Sequence, residues 1–313
     1  MNHHVIIGAG PVGSGIAELL AQRGTPVTVV TRSGSGIDHP LVTKLKADAT
    51  DLSALGGAAA GAAAIYNCAN PPYHKWASDW PPLHRAMMTA AERSGAVLVM
   101  VDNLYAFGPG SGMPMREGDP MNATGTKGAM RARMARELLE AHAAGRLRGT
   151  LARASDFYGP QVVGSALGER VVPRVLVGKK VSLLGALDVP HSISYMGDVA
   201  KVLVTIAEDE RAWGKPWHVP NAAAPTQREA VNALATAAGT TVKVSAVPKL
   251  ALSALGLFVP TMRELKETWY QFAEPWVTDS TLTEQTFGLS ATSLQDGAAA
   301  TVAWWRNQQL ASK

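Results

Sequence analysis

Cysteine is almost absent from this chain. Cys68 is the single cysteine among 313 residues, so no internal disulfide can form and no metal site can be built from several thiolates. His3, His4, His74 and His84 lack the spacing of metal ligands, and we expect no bound metal. Because a single free thiol is typical of a reducing compartment, we expect a cytoplasmic protein.

Long hydrophobic runs are missing as well. The two longest apolar segments, LGGAAAGAAAIY and LALSALGLFVP, are shorter than the roughly 20 residues of a transmembrane helix, so we expect no membrane partner. The first predicted strand, HVIIG, begins within the first few residues, and we therefore expect no signal peptide.

Charged residues are few. They make up 17% of the chain against 47% hydrophobic residues, which predicts a globular protein with a large core. The net charge is +4, yet Lys and Arg form no run, because the arginines of 131–136 alternate with apolar residues. We assign the positive charge to a pocket for an anionic cofactor and to the solvated surface. The expected partner is a small-molecule substrate rather than nucleic acid.

Strand-like and helix-like segments alternate through the first half of the chain. HVIIG, PVTVVT, AAIYNCA, AVLVMVDN and GTLARAS are predicted strands, and segments with helical apolar spacing separate them. This alternation predicts an α/β protein with a Rossmann-type doubly wound parallel sheet. We expect a dinucleotide-binding domain over 1–160, with 191–215 returning to it. A smaller C-terminal substrate-binding lobe would be formed by 161–190 and 216–313.

A glycine-rich loop follows the first predicted strand. Gly8, Gly10 and Gly13 have the G-x-G-x-x-G spacing, with Pro11 and Val12 between them, and a predicted helix begins there. The first glycine permits a tight turn, the second lets a pyrophosphate approach the backbone, and the third allows close packing of helix on strand. This context predicts a dinucleotide site; the alternative is a merely structural turn.

The end of the second predicted strand lacks a carboxylate. A site for NAD places Asp or Glu there to bind the ribose 2′-hydroxyl. This chain has Thr31, Arg32 and Ser33 instead, and an arginine can pair bidentately with a 2′-phosphate. We therefore expect NADP(H) as cofactor, the alternative being a solvated arginine on a turn. Asp48, after the third strand, is expected to accept a hydrogen bond from the adenine amino group.

Several further segments resemble one enzyme family. GAGPVG, ADATDL, NCANPP, VDNLYAFG, RASDFYGP and HSISYMGDVA are similar to motifs of the extended short-chain dehydrogenases/reductases, the NAD-dependent epimerase/dehydratase family. The resemblance covers nearly the whole chain. It implies that Ala69 and Asn70 lie along the cofactor after the fourth strand. It also implies that the segment containing Ser155 and Phe157 cups the nicotinamide carboxamide.

The tyrosine of the family's Tyr-x-x-x-Lys pair is missing. No tyrosine in the chain has a lysine four positions later, and the corresponding stretch reads NATGTKGAMRARM. One alignment puts Lys127 at the tyrosine position and Arg131 at the lysine position. The other keeps Lys127 as the lysine and puts Ala123 at the tyrosine position. Asn103 stands where the family has a catalytic Ser or Thr, and Asp102 beside it is interpreted as a buried structural carboxylate. We therefore expect an atypical member.

The hypothesis that we favour gives the proton transfer to Lys127, in place of the missing tyrosine. Arg131, one helical turn away, is a like charge that would favour the deprotonated lysine. The pair could instead bind an anionic substrate or be two solvated cations. Tyr105 and Tyr158 are rival proton donors, and each is otherwise a packed aromatic residue. Asn103 can hydrogen-bond a carbonyl group.

The expected substrate pocket is more apolar than charged. Its segments are VVGSALGERVVPRVL, LDVPHS and LGLFVPTMREL, and its expected contact residues are Tyr105, Ser165, His191 and Tyr195. The resemblance puts His191 where sugar-nucleotide enzymes of the family carry an arginine for the diphosphate, which argues against a nucleotide sugar.

Together these features predict an NADPH-dependent oxidoreductase that acts on a small or medium, largely apolar carbonyl compound. The alternatives are a non-catalytic NADP(H)-binding regulator, and an epimerase or dehydratase with a tightly held cofactor. By analogy with the family, the helices near 83–94 and 127–144 would form the interface of a homodimer.

Overall fold

The computed structural model describes residues 3–247 and 266–311. The chain divides into two compact units. The first unit comprises Met1–Gly108, Glu117–Arg153 and Val199–Val219. The second unit comprises Pro109–Arg116, Ala154–Asp198 and Pro220–Lys313. Each unit has its own β-strand pairings and its own hydrophobic core.

The secondary structure alternates between strands and helices through most of the described residues. The strands are β1 His3–Ile7, β2 Val27–Thr31, β3 Val42–Lys46, β4 Ala62–Asn67, β5 Val97–Asn103, β6 Arg148–Ala154, β7 Asp156–Tyr158, β8 Val181–Leu184, β9 Ile193–Tyr195, β10 Pro216–His218 and β11 Val244–Val247. The helices are α1 Pro11–Gln22, α2 Leu52–Ala59, α3 Trp76–Ser94, α4 Thr126–Ala143, α5 Val172–Leu176, α6 Met196–Glu208, α7 Gln227–Ala238, α8 Tyr270–Ala273, α9 Thr281–Phe287 and α10 Leu294–Ala311.

A seven-stranded parallel sheet forms the centre of the first unit, in the order β10-β6-β5-β4-β1-β2-β3. Its central strands are nearly continuous apolar runs, as expected for a parallel sheet that helices cover on both faces. Val5, Ile6 and Ile65 are fully buried in it. The predicted Rossmann-type α/β fold is confirmed.

The chain reverses its direction of winding at β1. After β1 it runs outward to β2 and β3, and then it crosses back over β1 to β4. Ligands of open α/β sheets bind at such a reversal, beside the carboxyl ends of the strands. Gly8 follows β1 and Cys68 follows β4, so these two residues lie on either side of the reversal.

The second unit contains two short parallel pairs of strands, β11 with β8 and β7 with β9. Its apolar core forms where α5, α7 and α10 pack together, and includes Val175, Leu234 and Val302. A capping box starts α7, because Thr226 and Glu229 each accept a hydrogen bond from the other's backbone.

The boundary between the units lies at 153/154 rather than near the expected residue 160. The reason is the pairing of β7 with β9, which places the residues after β6 in the second unit. The expected return segment 191–215 likewise begins later, at Val199, and ends at Val219. A substrate-binding role for the second unit stays a prediction.

A buried ion pair fastens α4 to the end of β5. Arg131 Nε donates to Asp102 Oδ1 at 2.7 Å, and its Nη2 donates to the Val101 carbonyl at 2.6 Å. Both charged residues are 2% exposed. The guanidinium also lies over the ring of Trp80, with 5.0 Å between its carbon and the ring centroid. Asp102 is thus the buried structural carboxylate that the sequence indicated.

A second buried arginine shares the same carboxylate. Arg153 on β6 has its Nε 3.5 Å from Asp102 Oδ2, and it donates to the Glu117 carbonyl at 3.1 Å. Burial lowers the pKa of Arg153, while Asp102 acts in the opposite direction. The two arginines therefore join β5, α4 and β6 through one carboxylate.

We expect Arg131→Met to lower the free energy of unfolding by about 3 kcal/mol, because it removes one partner of a buried pair. Arg153 stays beside Asp102, which keeps the loss at the low end of the usual range. Arg133→Met on the same helix is the control: it removes a half-exposed pair with Glu137 and should cost less than about 0.5 kcal/mol. Urea unfolding of the two variants measures both values, and equal losses would contradict the structural role of Arg131.

Candidate active site

Two glycines of the loop after β1 have no room for a side chain. Gly8 has φ of 104°, and a Cβ there would lie 2.9 Å from the Cys68 carbonyl oxygen. A Cβ on Gly13 would lie 2.0 Å from the Gly8 carbonyl oxygen, so α1 packs directly against the loop. These contacts require glycine, and they bring the start of α1 to the carboxyl end of β1.

The middle glycine faces open space. Gly10 is the residue that precedes α1, and a Cβ built on it would meet no described atom within 4 Å. Pro11 begins the helix, Val12 is buried behind it, and the first turn carries no acidic residue. The amino end of α1, with the positive end of its dipole, therefore borders open space, and such an arrangement can bind a phosphate.

A cleft of about 730 Å³ opens beside the glycine loop. Its walls come from the ends of β1, β2, β3 and β4 and from α3. They include Gly8, Gly10, Thr31, Arg32, Ser33, Ser35, Asp48, Thr50, Ala69, Asn70 and Pro71. The structure thus brings most of the predicted cofactor-binding residues to one cleft, whose volume is in the range of small-molecule sites.

Hydroxyl groups surround Arg32 at the end of β2. Thr31 Oγ1 donates to the Ser35 carbonyl at 3.1 Å, and Ser33 Oγ donates to Ser35 Oγ at 2.9 Å. Arg32 itself is exposed at the cleft. Ser35 Oγ in turn donates to Thr31 Oγ1 at 3.4 Å. This end of the cleft therefore has one exposed guanidinium, which suits an anion, beside three hydroxyl groups that are bonded within the segment.

Asp48 lines the same cleft, close enough to Arg32 for their charges to interact. The amide and the hydroxyl group of Thr50 donate to Asp48 Oδ1 at 2.9 Å and 2.8 Å. These two bonds hold the pKa of Asp48 below its usual value, and the charge of Arg32 adds to the effect. Asp48 is therefore ionised at neutral pH, and its carboxylate can accept a hydrogen bond.

Lys127 lies in a cluster of aromatic residues at the ends of β4 and β5. Its side chain is buried, and its Nζ lies 4.9 Å from the centroid of the Tyr73 ring. Tyr73 Oη donates to Tyr105 Oη at 2.9 Å. Asn103 Oδ1 accepts the backbone N–H of Tyr105 at 3.0 Å, which fixes the turn that carries this tyrosine. The structure therefore brings Lys127, Tyr105 and Asn103 together.

Tyr73 is the residue of this cluster that sequence reasoning missed. It stands just after the NCANPP segment, in the stretch PPYHK, where the chain forms a short 3₁₀ helix. The sequence around Tyr73 did not indicate a role at the site, because its partner Tyr105 is 32 residues away in the chain. Only the pairing of β4 with β5 brings the two phenol groups to one edge.

The guanidinium of Arg131 is bonded within the protein, whereas the sequence predicted a role beside Lys127 or at an anionic substrate. Its guanidinium is engaged by Asp102 and the Val101 carbonyl, and Trp80 lies beneath it. These contacts account for the burial of Arg131 without a role in catalysis. We therefore assign it a structural role instead of the catalytic role that the sequence indicated.

Tyr158 and Tyr195 pack against each other in the second unit, with ring centroids 5.5 Å apart. Tyr158 is 4% exposed, and its Oη would lie 2.4 Å from a Cβ on Gly297 at the start of α10. Burial raises the pKa of Tyr158, and Asp198 adds to this shift. A phenol held against a helix backbone is a packing group, so we assign Tyr158 a structural role.

His191 is also engaged inside the second unit. Its Nε2 lies 2.9 Å from Asp156 Oδ2 and its Nδ1 lies 3.0 Å from the Gln271 carbonyl oxygen. The ring stacks on Phe272 with 5.6 Å between centroids. These contacts occupy both ring nitrogens, which leaves the imidazole in a fixed orientation.

The other predicted residues of the second unit are serines and a phenylalanine. The Ser155 amide donates to Ser194 Oγ at 2.9 Å. Ser155 Oγ and Ser165 Oγ are buried and have no hydrogen-bond partner within the described residues. Phe157 is half-buried on β7. The predicted pocket segment 255–265 lies outside the described residues.

Neither a metal cluster nor a membrane span is found in the part of the chain that the structure describes. Over residues 3–247 and 266–311, no three His, Cys, Asp or Glu side chains are arranged to hold a metal ion. No helix in the same ranges combines the length and the apolar character needed to cross a bilayer.

Solved structures with the same fold cover almost the whole chain. The enzyme WbmH of Bordetella bronchiseptica, in complex with NAD+, is 20% identical, with a TM-score of 0.75 over 98% of this chain and 99% of that chain. A dTDP-glucose 4,6-dehydratase from Streptomyces venezuelae, with NAD bound, is 18% identical, with a TM-score of 0.76 over 98% of both chains. A UDP-N-acetylglucosamine 4-epimerase from Bacillus cereus is 15% identical, with a TM-score of 0.77 over 98% and 97%.

At these identities the likeness to solved structures shows the fold alone. No protein with a curated functional description matches the chain. The model of the NAD dependent epimerase/dehydratase family matches residues 5–219, which is more than half of the sequence. This match confirms the predicted resemblance: the chain belongs to the NAD-dependent epimerase/dehydratase family.

Proposed function

We propose that this protein is an enzyme that binds a nicotinamide dinucleotide and catalyses an oxidoreductase-type reaction. More specifically, it would use NADP(H) to act on a small or medium, largely apolar carbonyl compound. Membership in the family supports the general part of this proposal. Further support comes from the similar structures of WbmH and of the dehydratase, both of which carry NAD.

The glycine loop is the observation that carries the cofactor assignment. Gly8 and Gly13 close the turn around the start of α1, and the space in front of Gly10 is open, as the approach of a pyrophosphate to the backbone requires. The adjoining cleft then offers Asp48 to the adenine amino group and Arg32 to the ribose. When bound there, the dinucleotide supplies or accepts a hydride at its nicotinamide ring.

The preference for NADP(H) rests on the end of β2. The residues after Val30 read TRSGSGID, so the first carboxylate is Asp38, seven residues beyond Thr31. Arg32 and the hydroxyl groups of Thr31, Ser33 and Ser35 can bind a 2′-phosphate, whereas an NAD site would place an acid here. This set of side chains supports NADP(H) even though the similar structures of WbmH and of the dehydratase carry NAD.

Lys127 supplies the positive charge of the reaction site. A buried ammonium group stabilises the negative charge that develops on a carbonyl oxygen during reduction. We therefore propose that Lys127 stabilises this negative charge in the absence of the family's tyrosine. The ammonium group faces the ring of Tyr73, however, so the proton itself is better supplied by a phenol group of the same cluster.

An epimerase or dehydratase with a tightly held cofactor is the second candidate function. The names of two similar structures, a UDP-N-acetylglucosamine 4-epimerase and a dTDP-glucose 4,6-dehydratase, favour it. Against a nucleotide sugar stands His191, where the resemblance expects an arginine and where the ring is held by Asp156. The apolar carbonyl compound therefore remains the first choice.

We expect Gly10→Val to weaken NADPH binding at least about 100-fold, roughly 2.8 kcal/mol, because the new side chain fills the pyrophosphate cradle. The backbone of Gly10, with φ of −71° and ψ of −177°, suits valine, so the variant should stay folded. Gly56→Val on α2, where a Cβ also meets nothing within 4 Å, is the matched control. Fluorescence titration measures both affinities; unchanged binding by Gly10→Val would contradict the cofactor site.

We expect the unmodified protein to bind NADPH at least about tenfold more tightly than NADH, which corresponds to about 1.4 kcal/mol. Arg32→Glu should reverse this order, because the new carboxylate repels the 2′-phosphate and accepts the 2′-hydroxyl group. Arg93→Glu, an equal change of charge on the last turn of α3, is the control and should leave the order unchanged. Equal dissociation constants for the two cofactors in the unmodified protein would rule out the NADP(H) preference.

The function itself is tested by supplying NADPH with a panel of apolar ketones, aldehydes and enones, and separately with UDP- and dTDP-sugars. Consumption of NADPH with an apolar carbonyl compound is the expected result. Conversion of a nucleotide sugar without net consumption of cofactor would instead show that the protein is an epimerase or a dehydratase. A protein that binds NADPH and oxidises it with none of the compounds would be a regulator.

A further inference from the structure

Two phenol groups and one ammonium group meet at the carboxyl edge of the parallel sheet in the first unit. Tyr73 follows β4 and Tyr105 follows β5, and these strands are parallel neighbours, so both residues reach the same edge. Lys127 stands in the first turn of α4. Pro71, two residues before Tyr73, lines the cofactor cleft, so the cluster continues from the wall of that cleft.

We propose that Tyr73 and Tyr105 form a proton-donating pair that does the work of the single tyrosine in the family's Tyr-x-x-x-Lys pair. Tyr105 is the catalytic member, which gives its proton to the substrate oxygen. Tyr73 is a positioning residue, which holds the oxygen of Tyr105 through a hydrogen bond of 2.9 Å. This proposal rests on the proposed function and names the group that handles its proton.

The direction of the hydrogen bond gives the two phenols different roles. Tyr73 is the donor and Tyr105 Oη the acceptor, so the proton of Tyr105 is directed away from Tyr73. Both tyrosines are half-buried, whereas Lys127 is 5% exposed and lies against the face of the Tyr73 ring. A substrate can therefore approach Tyr105 more readily than it can approach the ammonium group.

Surrounding groups fix this pair in place. Trp76 packs edge-on against Tyr73 at 4.8 Å and beside Tyr105 at 6.0 Å between ring centroids. The indole of Trp76 donates to the Pro71 carbonyl at 3.0 Å, which ties it to the segment after β4. Asn103 holds the backbone of Tyr105. Such preorganised donors act without further rearrangement during the reaction.

The proton balance of a carbonyl reduction is complete with these groups. The carbonyl carbon gains a hydride from the reduced dinucleotide, and the electron pair of the C=O π bond moves to oxygen. The O–H bond of Tyr105 breaks and its proton joins that oxygen, which yields an alcohol and a phenolate. The phenolate is stabilised by the O–H of Tyr73 and by the charge of Lys127, and a proton from water restores it. Oxidation of an alcohol reverses each step.

The pair predicts a specific set of kinetic effects. Tyr105→Phe should lower kcat by about 10²–10⁴-fold, the usual contribution of a positioned acid, while the Kd for NADPH changes less than about twofold. Tyr73→Phe should lower kcat by only about tenfold, because it removes a hydrogen bond to the phenolate rather than the acid. Tyr270→Phe, in the second unit, is the control for removal of a phenol group and should keep full activity.

A second readout uses the protein without cofactor or substrate. Ultraviolet absorbance reports the ionisation of tyrosines as the pH is raised. Lys127→Met removes a cation that favours a phenolate, so one phenol should ionise at higher pH than in the unmodified protein. In Tyr105→Phe, the absorbance change that comes from this phenol should be missing from the titration. In turnover, the loss of reductase activity at alkaline pH should move to higher pH in Lys127→Met.

The proposal is overturned if Tyr105→Phe keeps full turnover, or if Lys127→Met leaves the phenol titration unchanged. Circular dichroism shows whether Tyr105→Phe is folded. If it is not, the titration of Lys127→Met still tests the proposed interaction between the lysine and the phenol pair. Failure of the unmodified protein to bind NADPH is a different result. It would contradict the proposed function, and the titration would still report whether the phenols and the lysine are coupled.

Discussion

The ion pair between Asp102 and Arg131 is the contact on which the candidate active site depends. It joins the end of β5 to α4 where both residues are shielded from water. Two buried charges cost several kcal/mol in desolvation unless their geometry and further hydrogen bonds compensate. The Val101 carbonyl and Trp80 provide that compensation for Arg131, so the register between strand and helix is fixed.

That register places Lys127 and the tyrosines of the proposed proton-donating pair. Tyr105 follows Asp102 by three residues on the strand end, and Lys127 precedes Arg131 by one helical turn. A Cβ on Gly128 would lie 2.5 Å from the Tyr105 carbonyl oxygen, which shows how closely α4 approaches the strand end. At the carboxyl end of β1, two strands away from β5, the contact of Gly13 with Gly8 sets the start of α1 in the same way. The same edge of the sheet thus carries both the glycine loop and the phenol groups.

The sequence was sufficient to predict the fold and the residues that meet in the cleft beside the glycine loop, because those features depend on local patterns. Apolar strands, the spacing of Gly8, Gly10 and Gly13, and Arg32 at a strand end can all be read within a few positions of one another. The pairing of Tyr73 with Tyr105 and that of Arg131 with Asp102 could not be predicted from such local patterns. Their contacts span 32 and 29 residues and arise only when strands and helices have packed.

The most direct test of the proposed cofactor site and of the role of Tyr105 is a crystal structure of the protein with NADPH. We expect the 2′-phosphate to contact Arg32 and the pyrophosphate to lie over Gly10. We also expect the nicotinamide to leave room for a substrate oxygen within hydrogen-bond distance of Tyr105 Oη, with Tyr73 still bonded to Tyr105. A complex in which the 2′-phosphate points away from Arg32, or in which the nicotinamide is far from Tyr105, would contradict both assignments.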